Sequence, residues 1–159
     1  MERRCDQLEE ISRDQARAIN AQERFSRRNN VRIVGFKSQE GENCTEIAKA
    51  VFRKFGDFDI KIERAHRDGK PNPARDRHIL VKLALHPDKL MALKYQRQKL
   101  SNDPYFITDD LSRVDLQEKR KYGRQVSLLY SQGVKLRFSV GRWRDAAGKP
   151  YIFESASTE

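Results

Sequence analysis

The sequence predicts a mixed α+β protein with three parts: a short N-terminal coiled-coil helix, a β-α-β-β-α-β domain, and a small C-terminal α+β domain of one helix and a β-hairpin. Residues 1–28 contain neither Gly nor Pro, and charges of both signs alternate along them. Residues 29–111 alternate β-rich runs with apolar residues at helical spacing, which is typical of an α+β domain. Residues 112–159 place a charged helix before a run in which apolar and polar residues alternate.

Net charge and cysteine usage limit the classes of protein to which the chain can belong. The chain has 159 residues and a net charge of +10, which favours polyanionic partners, nucleic acid first and an acidic membrane surface second. Cys5 and Cys44 match no metal or redox spacing, and two lone thiols fit a reducing compartment. No signal peptide is visible, and no apolar run approaches the roughly 18 residues of a membrane span. We therefore expect a soluble intracellular protein.

The N-terminal segment, residues 1–28, fits a heptad repeat. Four of its six seam positions are apolar; the six are Leu8, Ile11, Gln15, Ala18, Gln22 and Phe25. This pattern predicts the end of a coiled coil, with further coil expected before Met1. The alternative is a single charged helix in solvent, because so short a repeat is marginal without a packing partner.

The central domain, residues 29–111, is predicted from four β-rich runs and two helices. The strands are expected at 31–36, 60–67, 77–84 and 105–108. One helix is expected over 45–55 with Asn43 as its N-cap, and the other begins near Pro87. The composition of residues 68–76 is typical of a loop. The resulting order is that of ferredoxin-like domains, which the RNA recognition motif shares.

The C-terminal domain, residues 112–159, is predicted as a helix followed by a hairpin. Ser112 and Asp115 resemble a capping box, and the helix is expected to run to about Tyr130 and to end at Gln132 and Gly133. Residues 134–140 alternate apolar and polar side chains and are expected to form a strand. The second strand is expected at 151–153, after a turn at 145–149.

The strand pattern also predicts which side chains face outward from the sheet. The inward residues are expected to be Val31, Ile33, Ile79, Val81 and Leu83, and the outward ones Arg32, Val34, His78, Leu80 and Lys82. An RNA recognition motif usually carries aromatic residues on the open face of its first and third strands. Here Arg32, His78 and Lys82 stand in those places, which favours phosphate contact, although arginine and histidine planes also stack on bases.

A second basic surface is expected on the C-terminal strand. Lys135 and Arg137 alternate with apolar residues, so they share one face with Ser139. Two basic domains joined by a short link predict a groove for a flexible strand, with salt-dependent and weakly sequence-specific binding. The alternative for any single cation is a solvated position without a ligand.

No pattern in the sequence predicts catalysis. Phosphate-loop, dinucleotide-binding and serine-elbow motifs are absent, and His66, His78 and His86 have no partners at ligand spacing. Asp109 and Asp110 are adjacent and make a poor chelate on a strand, so a turn or cap role is favoured. We expect no catalytic residue, no metal and no cofactor.

Four stretches of the chain together resemble the first-open-reading-frame protein of LINE-type retrotransposons. They are 27–33 (RRNNVRI), 62–67 (IERAHR), 77–83 (RHILVKL) and 116–123 (LQEKRKYG), and the resemblance covers roughly residues 20–154. It implies a trimeric coiled coil, a noncanonical RNA recognition motif and a small C-terminal domain. By motif match, the RNA-contacting positions fall on Arg28, Asn30, Arg32, Arg67, Arg77, Arg97, Arg120 and Tyr122. Family members continue into a last helix, which residues 155–159 do not resemble, so an abbreviated C-terminal domain is expected.

The functional prediction is single-stranded RNA binding with nucleic-acid chaperone activity in a ribonucleoprotein particle. Single-stranded DNA is a second expected ligand, and a homotrimer through the N-terminal coil is the expected assembly. Such particles are expected in the cytoplasm, with the nucleus as a second location. The alternative is a structural coiled-coil assembly protein whose polyanion binding is incidental.

Overall fold

The computed structural model describes residues 2–57 and 59–154. Across them the chain is mixed α+β, with five helices, a four-stranded antiparallel sheet and a two-stranded hairpin. The described residues fall into two compact units. The central unit is Phe25–Asp110, and the split unit joins residues 2–24 to residues 111–154. The expectation for residues 155–159 lies outside the described part of the chain.

A long helix, α1 (Glu2–Ser26), opens the chain, as the sequence predicts. None of its side chains is buried. The predicted seam positions are all exposed, with Leu8 at 59% and Ile11 at 52%. A coiled-coil partner therefore stays a prediction, and the seam is accessible in the single chain.

The central unit contains one sheet and two helices. Its elements are β1 (Asn30–Val34), α2 (Cys44–Arg53), β2 (Ile62–Arg67), β3 (Ile79–Leu83), α3 (His86–Lys99) and β4 (Phe106–Asp109). The strands lie in the order β2-β3-β1-β4, and each neighbouring pair is antiparallel. Every predicted strand and helix of this region is present, with bounds that differ by a few residues.

One face of the sheet forms the core with the two helices. The predicted inward residues of β1 and β3 are confirmed, because the side chains of Val31, Ile33, Ile79, Val81 and Leu83 are all 0% exposed. Apolar residues of α2 and α3, including Val51, Phe52 and Ala92, complete this core. Burial of one face fixes the strand register, since a slip of one residue would exchange the two faces.

Both helix starts follow the predicted chemistry. The side-chain oxygen of Asn43 accepts hydrogen bonds from the backbone amides of Thr45 and Glu46, at 3.0 and 3.3 Å, so the predicted N-cap of α2 is confirmed. Pro87 lies in the first turn of α3, where its missing N–H costs no helical hydrogen bond.

In the split unit, the predicted single helix is two helices. They are α4 (Arg113–Lys121) and α5 (Gly123–Ser131), separated at Tyr122. The Ser112 hydroxyl caps α4 by accepting from the amide of Asp115 at 3.1 Å. The Asp115 side chain does not complete a capping box; it accepts instead from Arg24 and Asn20 on α1, at 2.7 and 2.9 Å. The end of α5 at Gln132 and Gly133 agrees with prediction.

The first predicted hairpin strand, 134–140, is present but shorter, and the predicted position of the second, 151–153, is wrong. The hairpin is formed by β5 (Arg137–Ser139) and β6 (Arg142–Arg144). Val140 and Gly141 make the reversal between them, with φ of 50° and 73°. The alternation of apolar and polar side chains extends through Val140, and a β-branched residue rarely takes positive φ. The sequence pattern therefore predicts a continuing strand where the chain turns. The turn at 145–149 is present, since the Gly148 amide donates to the Asp145 carbonyl at 3.0 Å.

No helix in the described ranges 2–57 and 59–154 has the length and apolar character that crossing a bilayer requires.

Candidate nucleic-acid interface

The face of the sheet opposite the core carries polar and basic side chains. Arg32 on β1 pairs across to Leu80 on β3 and to Thr108 on β4. Asn30 pairs with Lys82, so the residues of β1 and β3 that are predicted to contact RNA lie together on this face. We call it the open face. Its alternation with the buried residues follows from the two-residue period of a strand.

Arg32 is held by two carboxylates. Its Nε donates to Asp110 at 2.8 Å, and its Nη2 lies 2.8 Å from an oxygen of Asp68. Asp110 also accepts from Arg27 Nη1 at 2.9 Å and from Asn30 Nδ2 at 3.1 Å. The Asp110 side chain is fully buried, so these donors compensate its charge. The turn or cap role expected for Asp110 is thus replaced by an ion-pair centre.

Next to Arg32 lies a basic cleft of about 290 Å³. It contains three of the predicted residues, Arg32, Arg77 and His78. The loop between β2 and β3 supplies the rest of its lining: Asp68, Lys70, Asn72, Arg75 and Asp76. Four cations against two carboxylates give the cleft a positive balance, which suits a phosphate.

His78 is neutral in this cleft at neutral pH. Burial, and then the charge of Arg32, lower the pKa of His78 from its ordinary value of 6.5, while Asp68 opposes the shift. A bound phosphate would favour the protonated ring. His78 therefore reports on the charge of whatever occupies the cleft.

Arg67, another predicted contact, is turned inward. Its guanidinium donates to both carboxylate oxygens of Glu42, at 2.8 and 3.0 Å, and to the carbonyls of Phe36 and Arg77, at 2.9 and 2.7 Å. Its side chain is only 4% exposed. The hydrogen bonds that Arg67 donates to Glu42 raise the pKa of Arg67. In this arrangement Arg67 positions the backbone of Arg77 at the edge of the cleft.

The other predicted residues of the central unit are dispersed. Arg28 lies over the ring of Phe25, with 3.9 Å from its guanidinium carbon to the ring centroid. Lys82 is on the open face, 3.5 Å from a carboxylate oxygen of Glu63. Arg97 is exposed on α3, the helix that packs on the core face, and so lies away from the cleft.

The predicted residues of the split unit lie on α4 and around the hairpin. Tyr122 stacks on Phe153, with ring centroids 4.1 Å apart and planes 6° from parallel, so one face of its ring is covered. Arg120 is exposed. Lys135 is exposed before β5, and its Nζ lies 5.9 Å from the ring centroid of Tyr130.

Beside Arg137, the hairpin carries two further arginines, which the sequence places in a basic cluster but not in the predicted site. Arg137 pairs directly with Arg144, and Ser139 pairs with Arg142, so three arginines share one face. The opposite face packs through Trp143, whose Nε1 donates to the Lys119 carbonyl at 3.2 Å. Like charges opposite one another destabilise a hairpin, and a bound anion would relieve this repulsion. The mistaken position of the second strand concealed this face.

Sequence reasoning also missed Phe106. An aromatic residue was expected only on the first and third strands. Phe106 lies instead on the edge strand β4, opposite Val34, and is 47% exposed. Period-two alternation from the buried Ile107 could have placed it on the open face.

Comparison with protein-family models and with curated proteins gives no match for the chain. In the described residues, no group of three or more His, Cys, Asp or Glu side chains is arranged to hold a metal ion.

Proposed function

We propose that this protein binds single-stranded RNA and acts as a nucleic-acid chaperone within a ribonucleoprotein particle, as the resemblance to LINE first-open-reading-frame proteins implies. On this proposal the central unit serves as a noncanonical RNA recognition motif. Single-stranded DNA is a second ligand, because phosphate contacts do not require the ribose hydroxyl.

The observation that carries the proposal is the basic cleft beside the open face. Arg32 of β1 and the residues immediately before β3, Arg77 and His78, line one space of about 290 Å³. Side chains from β1 and from the loop between β2 and β3 therefore face the same space. Cations with no role other than solvation would not need to face one common cleft.

The chemistry of the cleft supports exchange rather than tight capture. Arg32 is already paired with Asp68 and Asp110, so a phosphate must compete with carboxylates for its donors. Contacts of this kind are individually weak and reversible. A chaperone needs such contacts, because the strand must be released and bound again while it reaches its stable pairing.

The arginine face of the hairpin supports a second phosphate contact in the split unit. Arg137 and Arg142 are exposed, and the aromatic pair between their rows, Phe138 and Trp143, lies on the opposite face of the hairpin. We propose that this face adds affinity without sequence preference, since phosphate contacts carry no base information.

The proposed assembly is a homotrimer formed through α1. The exposed seam of Leu8 and Ile11 supports a helix partner, and several RNA-binding copies on one coil would raise the effective affinity. The same seam supports the alternative, a structural assembly protein with incidental polyanion binding.

The test is a fluorescence anisotropy titration of single-stranded and double-stranded RNA at several salt concentrations. The proposal expects tighter binding of the single strand and a slope of log K against log salt of about −0.7 for each phosphate contacted. Arg77→Ala should reduce that slope by about one such contact, and Arg53→Ala, at an exposed position on α2, is the matched control outside the cleft. Weak binding with no strand preference would overturn the RNA-chaperone proposal and favour the assembly protein.

A further inference from the structure

Phe106 makes the open face more than a cationic surface. It is directly opposite Val34 in the β1–β4 register, and Val34 and Leu80 on the same face are half-buried. Phe106 itself remains 47% exposed at the edge of the sheet. The open face therefore holds an apolar strip that ends in an accessible aromatic ring.

The strip lies beside the basic cleft. His78 immediately precedes β3 and lines that cleft together with Arg32, and Arg32 is two residues from Val34 on β1. His78 and Phe106 flank β1 on opposite sides, which separates them by two strand spacings, or roughly 10 Å. A flat apolar ring and a phosphate-binding cleft are thus within reach of neighbouring parts of one nucleotide chain.

A single exposed apolar residue is ordinary on a protein surface. Phe106 differs because Arg32 and the basic cleft lie beside the strip, so a lipid or an apolar protein helix would have to desolvate those charges. An unpaired nucleobase matches both features, since its flat face stacks on an aromatic ring while its own phosphate reaches the cations.

We propose that Phe106 is a platform on which one base of a bound single strand stacks, while the adjacent phosphates lie in the cleft of Arg32 and Arg77. This inference rests on the proposed function and adds a base contact to it. The edge strand β4 supplies the aromatic ring that the first and third strands lack. Because every base has a stackable face, the platform favours unpaired over paired nucleic acid without selecting a sequence.

The test compares Phe106→Ala, Phe106→Leu and Phe106→Trp in the full chain, with a short oligouridylate and with inorganic polyphosphate as a base-free polyanion. The Ala and Leu variants should bind the oligouridylate about 5- to 100-fold more weakly, and the Trp variant should retain affinity. Polyphosphate binding and the salt slope should not change, because no phosphate contact is lost.

Tyr95→Ala is the matched control, since Tyr95 is 39% exposed on α3 and away from the open face. Thermal melting of each variant separates loss of fold from loss of contact. The fluorescence of the Trp variant should be quenched by oligouridylate and not by polyphosphate. The inference is overturned if the wild type binds oligouridylate and the Ala variant binds it equally well. Failure of the wild type to bind oligouridylate at all would instead overturn the proposed function.

Discussion

On the proposed function, Asp68 would compete with a phosphate for the guanidinium of Arg32. Its carboxylate lies 2.8 Å from Arg32 Nη2 and is 37% exposed, whereas the other partner of Arg32, Asp110, is fully buried. A phosphate entering the cleft therefore displaces Asp68 first. This competition keeps the affinity of the cleft below what four cations alone would give.

We expect Asp68→Asn to tighten single-stranded RNA binding by about two- to fivefold, the range that one partly exposed ion pair represents. Anisotropy titration at fixed salt measures the change. Asp57→Asn makes the same charge change at an exposed position outside the cleft and should leave affinity nearly unaltered. Equal effects of both substitutions would mean that only net charge matters.

His78 gives a second test at the same place. Burial, and then the charge of Arg32, lower its pKa below 6.5 in the free protein, so its protonation opposes folding and the folded state loses stability as pH falls through this region. A bound phosphate should raise the pKa of His78, and RNA affinity should therefore increase as the pH falls through the pKa that His78 has in the complex. NMR titration of the ring, with His86 as the internal reference, measures the shift; an unmoved value on saturation with RNA would place the phosphate elsewhere.

The loop of the β5–β6 hairpin contains a strained residue. Val140 takes φ of 50° ahead of Gly141 at 73°, which is the pattern of a turn that prefers Asn-Gly. A branched side chain in that region costs about 1–3 kcal/mol, and Val140 is 61% exposed, so little packing is lost by replacing it.

Val140→Asn should therefore stabilise the split unit by about 1 kcal/mol. The free energy of unfolding, from urea denaturation, measures this change. Val134→Asn is the control, since Val134 is 40% exposed and does not have positive φ. A lower stability of the Val140 variant would show that the branched side chain makes contacts that outweigh its backbone strain.

The elements of the central unit follow from local patterns. Alternation reports burial directly, so the inward faces of β1 and β3 are predictable, and the cap at Asn43 depends on residues within three positions of it. The hairpin is different because its turn breaks local preference. Alternation continued through Val140, and the more regular pattern predicted a longer strand than the chain forms.

The candidate site is less predictable than the fold, because its decisive contacts join distant residues. Asp110 and Arg32 are 78 positions apart in the sequence. From the sequence alone, any of the 33 lysines and arginines could be the partner of Asp110. The motif match predicted Arg32 and Arg77, strand alternation predicted Arg32 and His78, and all three line one cleft. The same motifs gave no indication that Arg67 points inward, since burial of a cation depends on the carboxylate and carbonyls that receive it.

At the scale of the whole molecule, α1 has two portions with different contacts. Asn20 and Arg24 donate to the nearly buried Asp115, whereas the seam residues Leu8, Ile11 and Gln15 are exposed. Burial alone would raise the pKa of Asp115, but the bonds from Arg24 and Asn20 outweigh it and lower the pKa below 3.8. The stabilisation is therefore complete above pH 3.8 and is lost as the pH falls through the lowered value.

Two truncations should separate these portions. Removal of residues 2–17 should abolish self-association while leaving the thermal transition near its original temperature. Removal of residues 2–24 also takes away Asn20 and Arg24, the donors of Asp115, and should lower the melting temperature further, because the hydrogen bonds of α1 to Asp115 are lost. Light scattering reports the first effect and melting the second at neutral pH. Equal melting of the two forms would show that Asp115 does not depend on α1.

The bond between Arg27 and Asp110 joins the beginning of the central unit to its end, so this unit is continuous in the chain and closes on itself. The split unit must instead wait for its second half. At a synthesis rate of roughly 5–20 residues per second, Arg24 emerges about 5–20 s before Asp115, 91 residues later. The sheet is complete once β4 has been made at Asp109, before Asp115 exists. On the ribosome, the central unit is therefore the first to fold, and the N-terminal helix is the last segment to find its partner.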